Sequence, residues 1–79
     1  MKIQLLLFAQ AREIVGENQI EFQLTNEADV NGLLRELYNM FPDLSGLEIK
    51  VAVNGEYTEN TRKLHVGDEV AIIPPISGG

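Results

Sequence analysis

Along the chain, alternation of apolar and polar residues gives way once to a helical spacing and then returns. Lys2 to Phe8 carries polar residues at Lys2 and Gln4 between apolar neighbours, which predicts a strand with Ile3, Leu5 and Leu7 on one face. The opposite face begins polar and ends apolar, at Leu6 and Phe8. Ala9 to Val15 suits a short helical turn ended by Gly16, because glycine adopts the left-handed cap conformation without penalty. Asn18 to Leu24 is the clearest period-two segment, with Ile20, Phe22 and Leu24 on one side and Glu21 and Gln23 on the other.

From Asn26 the period lengthens. Val30, Leu33, Leu34, Leu37 and Phe41 recur at helical spacing, Asn26 with Asp29 resembles a capping box, and Pro42 supplies the stop. Gly32 weakens this helix by up to ~1 kcal/mol relative to alanine, so packing of the leucine stripe must hold it. The stripe therefore reads as core. Ile49 to Val53 alternates again, and Asn54-Gly55 predicts a two-residue hairpin turn into Glu56-Tyr57-Thr58. Gly67-Asp68 marks a turn before a last strand, Glu69 to Ile73, with Val70 and Ile72 facing the core and Ala71 and Ile73 the other side.

The order strand, strand, helix, strand, short strand, strand predicts an α+β domain in which a mixed sheet wraps one main helix. The β-grasp, or ubiquitin-like, arrangement is the simplest such fold. The expected division is a domain over residues 1–74 and an extended tail over 75–79.

With 79 residues, 44% of them hydrophobic, the chain has material for one core. It contains no cysteine, which excludes disulfides, thiolate metal sites and cysteine nucleophiles. The apolar run Ile3 to Phe8 is too short to span a bilayer and no signal-type cleavage region accompanies it, so no membrane association and a cytoplasmic location are expected. A net charge of -6 disfavours binding to nucleic acid and favours a protein partner with a basic docking surface, although acidity that only keeps the domain soluble explains it equally well.

The usual catalytic constellations are missing. His65 falls near a predicted turn with no second histidine or cysteine, so no metal site is expected there. Ser77 has no evident base, and Asp68-Glu69 reads as a turn and a solvated strand start. The ending Pro74-Pro75-Ile76-Ser77-Gly78-Gly79 is different. Two prolines favour an extended backbone that cannot donate ladder hydrogen bonds, and two glycines remove every Cβ from the final positions. Such an end suits threading through a narrow channel in a partner; a frayed, purposeless terminus is the bland alternative. The carboxylate of Gly79 is ionised at neutral pH and a poor electrophile, so it must be activated, for instance by adenylation, before it can accept sulfur. In a chain without thiols, covalently carried sulfur belongs at this terminus.

The outward faces of the first and last strands both turn apolar toward one region, through Leu6, Phe8, Ala71 and Ile73, with Tyr57 expected beside them. An exposed apolar patch on a small acidic domain points to a partner, unless another element covers it.

The residues resemble a known family over nearly the whole length. The opening strand running into Leu7-Phe8-Ala9-Gln10-Ala11-Arg12-Glu13-Ile14-Val15-Gly16, the segment Ala52-Val53-Asn54, and the block from Gly67 to Gly79 are similar to the MoaD family of ubiquitin-like sulfur carriers, the small subunits of molybdopterin synthase. The resemblance implies a β-grasp fold and no cofactor bound by this chain. It implies that a ubiquitin-activating-type adenylyltransferase uses ATP to adenylate Gly79, and that a sulfur donor protein then leaves a thiocarboxylate there. The tail would next enter the large subunit, usually in a heterotetramer, and sulfur from successive carriers would convert cyclic pyranopterin monophosphate to molybdopterin. Catalytic side chains would belong to the large subunit. Carriers for thiamin or tRNA thiolation, and ubiquitin-like protein modifiers, remain alternatives.

Overall fold

The alternating segments become the strands of one sheet in a computed structural model that describes residues 1–75. The elements are β1 (Lys2–Leu7), α1 (Ala9–Val15), β2 (Gln19–Gln23), α2 (Val30–Met40), a 3-10 helix (Pro42–Gly46), β3 (Lys50–Val53), β4 (Glu56–Tyr57) and β5 (Glu69–Ile73). The strands lie in the order β2-β1-β5-β3-β4. β1 and β5 are parallel at the centre, and every other pairing is antiparallel. A mixed sheet with one main helix against it is the expected α+β, β-grasp arrangement.

Hydrophobic alternation decides which face each strand buries. Ile3, Leu5, Leu7, Phe22, Val51, Val53, Val70 and Ile72 meet Val30, Leu33, Leu34 and Leu37 of α2 in a single core. Two core residues, Leu44 in the 3-10 helix and Leu64 in the loop before β5, were not expected from the pattern.

Two expectations need correction and a third is extended. The first strand stops at Leu7, and Phe8 precedes α1 as its capping residue, because the chain turns there into the short helix. The cap of α2 is Asp29 itself, whose Oδ1 accepts the Gly32 N–H at 2.9 Å; Asn26 lies outside the helix, with its side-chain oxygen 3.5 Å from the amino-terminal nitrogen. Pro42 does more than stop α2, since it opens the 3-10 helix, where its missing N–H and fixed φ suit a first turn. The Asn54-Gly55 turn forms as expected, with φ of 51° and 87° between the paired residues Val53 and Glu56.

Candidate functional site

β5 sits between β1 and β3, so its outward residues are flanked on both sides. Leu6 lies opposite Ala71, Ala71 opposite Ala52, and Ala52 opposite Tyr57, which sets these four in one row across four strands. Ile73 is two residues further along β5 and therefore on the same face, opposite Lys50. Phe8 joins this end of the sheet through its N–H, which donates to the Ile72 carbonyl at 3.3 Å. Its side chain lines an apolar hollow with Ala9, Ile73 and Pro74. Leu6, Ala71 and Ile73 are half-buried, Phe8 is 46% exposed and Tyr57 69% exposed.

All five residues expected at a partner surface thus lie on or beside one face of the sheet, with Phe8 and Tyr57 exposed and the other three half-buried. Ala52 was missed: it fills the middle of the row at 7% exposure. Its position in Lys50-Val51-Ala52-Val53 carried the signal, because Val51 and Val53 take the inward positions. Beside the row, Lys50, Tyr57, Ile73, Pro74 and Pro75 border a shallow groove of ≈ 470 Å³ together with Glu48 and Ile49.

The tail begins at this groove. Pro74, expected in the tail, is fully buried, whereas Pro75 is exposed. Ile76, Ser77, Gly78 and Gly79 lie outside the described residues.

The face carries fixed charges on either side of its apolar row. Glu21 and Glu69 both lie opposite Gln4 in the adjoining row, and Gln4 accepts a hydrogen bond at 3.1 Å from the Gln19 amide. On the tail side Lys50 lies opposite Ile73. Among the described residues the one contact within 4 Å between a basic and an acidic side chain is His65 with Asp68, at 3.9 Å. Lys50, Glu21 and Glu69 are therefore without ionic partners among the described residues.

His65 and Asp68 stand at the far end of β5. Burial opposes the charge of Asp68, but bonds from the His65 N–H at 2.8 Å and the Asn54 amide at 3.0 Å, with the nearby His65 and Arg62, hold its carboxyl below the usual range. Asn54 in turn accepts the Glu69 N–H at 3.0 Å. This cluster fastens the β3–β4 turn to the start of β5. Among the described residues no three His, Cys, Asp or Glu side chains are grouped to hold a metal ion, and no helix is long and apolar enough to cross a membrane.

Known proteins are similar to this chain in sequence and fold. The ThiS family matches residues 5–79. The chain is 39% identical to the molybdopterin synthase sulfur carrier subunit of Dictyostelium discoideum, over 99% of this chain and 96% of that one. Its identity to the subunit of the same name from Chlamydomonas reinhardtii is 40%, with both chains covered completely. The crystal structure of SAMP1 from Haloferax volcanii superposes with a TM-score of 0.87 at 29% identity, again covering both chains completely. The chain belongs to the ThiS family, among the relatives of the molybdopterin synthase sulfur carrier subunits.

Proposed function

We propose that the chain is the sulfur carrier subunit of a molybdopterin synthase, carrying sulfur as a thiocarboxylate on Gly79. One observation carries the reading: the last described residue, Pro75, is exposed beside a partly exposed apolar face, with four residues remaining to the terminal Gly79. At ~3.3 to 3.6 Å per residue, four residues span at most about 14 Å. A partner docked on the sheet would thus receive the terminus within that reach.

In the proposed cycle, a ubiquitin-activating-type adenylyltransferase docks on this face and places Gly79 against ATP. A carboxylate oxygen attacks the α-phosphorus and pyrophosphate leaves, giving an acyl adenylate. A sulfur donor protein then delivers a sulfide equivalent to the acyl carbon with AMP as the leaving group. The large subunit of molybdopterin synthase next docks on the same face and receives the tail, where sulfur passes to cyclic pyranopterin monophosphate. Gly78 serves by having no side chain to obstruct the channel. The names and full-length coverage of the relatives support this reading, as does the absence of thiols elsewhere in the chain.

The test is reconstitution. Chain treated with activating enzyme, ATP and sulfur donor should gain the mass difference between sulfur and oxygen, and with the cognate large subunit it should convert cyclic pyranopterin monophosphate to molybdopterin. Loading without conversion would move the carrier to another thiolation pathway, such as those of thiamin or tRNA.

The likeness to SAMP1, the small archaeal modifier protein 1 of Haloferax volcanii, favours one second reading, a protein modifier. The same activated terminus would then react with a lysine amine. Branched peptides ending in this tail, found by mass spectrometry of whole cells, would support it.

A further inference from the structure

Apolar contact is non-directional, so the row from Leu6 to Tyr57 can hold a partner without fixing its rotation on the sheet. A sulfur carrier needs that rotation fixed, because a few residues of tail must enter one channel. The charges flanking the row supply a means. In the rows next to it, Glu21 and Glu69 lie on one side, on β2 and β5, and Lys50 lies on the other, beside the groove at Pro75; Lys2 stands one row beyond Gln4, and Glu48 lines the same groove as Lys50. Glu21, Glu69 and Lys50 are exposed and have no oppositely charged group within 4 Å among the described residues.

Resting on the carrier reading, we propose that Lys50 and the Glu21–Glu69 pair set the orientation of the large subunit, which presents a carboxylate toward Lys50 and a guanidinium or ammonium toward Glu21 and Glu69. Opposite charges on opposite sides of an apolar strip match a partner in one rotation and oppose it when turned by half a revolution, where like charges meet. The same pattern would also match a second copy of this chain placed antiparallel. Each copy carries a net charge of -6, however, so two copies repel, and a partner of different composition is favoured.

The experiment measures affinity of the purified large subunit for the full chain and for Lys50→Glu, Glu69→Lys and Glu36→Lys, at about 0.05 M and about 0.5 M salt. Glu36 is exposed on α2, away from the sheet face, so its reversal changes net charge as much as Glu69→Lys does. Lys50→Glu and Glu69→Lys should each weaken binding about fivefold or more at low salt, with the loss shrinking at high salt. Lys50→Glu should do so although it makes the chain more acidic, while Glu36→Lys should have no such effect. Unchanged affinity for both face variants, or an equal loss in Glu36→Lys, would overturn the orientation code and leave the carrier reading standing. Failure of the unaltered chain to bind would overturn both. A dimer in sedimentation equilibrium that either face variant dissolves would assign these charges to self-association instead.

Discussion

Asp68 joins two turns distant in sequence by accepting from the His65 N–H of one and the Asn54 amide of the other, and these bonds favour its charged form. A carboxyl whose folded pKa lies below its unfolded value stabilises the fold above the unfolded value and loses that contribution as pH falls through the folded one. Asp68→Asn should therefore lower the thermal midpoint at neutral pH, and its difference from the unaltered chain should close below the ordinary value of 3.8. Thermal scans of both proteins from pH 7 to about pH 3 read this directly. Phe8 separates docking from folding in a similar way. Being 46% exposed, it contributes less to the core than a fully buried aromatic residue does. Phe8→Ala should shift the midpoint by no more than about 5 °C. As a docking anchor of about 2 kcal/mol it should weaken large-subunit binding roughly thirtyfold by calorimetry. A collapse in stability with unchanged affinity would make Phe8 a core residue only.

In α2 the weak point and the cap are one turn. Gly32 donates its N–H to Asp29, and a Cβ added there would meet the Asp29 Oδ1 at 3.6 Å and the Ala28 Cβ at 3.7 Å, both ordinary contacts. Gly32→Ala should thus stabilise the domain by up to about 1 kcal/mol, raising the midpoint by about 4 to 8 °C. Asp29→Ala should cost about 1 kcal/mol by unfolding in denaturant, because the Gly32 N–H loses its partner. Where the sequence was legible, a repeating period made it so. Val70 and Ile72 alternate with Ala71 and Ile73 along β5, and the structure buries the first pair fully and the second only in part. Leu44 and Leu64 were not read because both lie outside the long periodic segments, Leu44 in the short 3-10 helix and Leu64 in the loop before β5. Asn26 and Asp29 both have capping side chains, and only the backbone path shows which one reaches the Gly32 N–H. Lys50, Glu21 and Glu69 were visible as residues, but their arrangement about one apolar row depends on register between strands far apart in sequence.

At the scale of the whole molecule, the core cluster of the described residues runs from Ile3 to Ile72, well before the terminal glycine, so deleting Gly79 should leave the thermal midpoint unchanged while abolishing sulfur loading by mass spectrometry. Retained loading would remove the terminus from the mechanism. The parallel pairing of β1 with β5 has a mechanical consequence as well. β1 starts beside the amino terminus, β5 ends beside the tail, and the two run side by side in the same direction. Tension between the chain's two ends therefore drags these strands lengthwise past each other and stretches the hydrogen bonds of their ladder together, with none loaded ahead of the rest. A machine hauling on the tail meets its stiffest resistance at the first strand it grips, and the lifetime of the domain under load is set by the slow rupture of that central ladder.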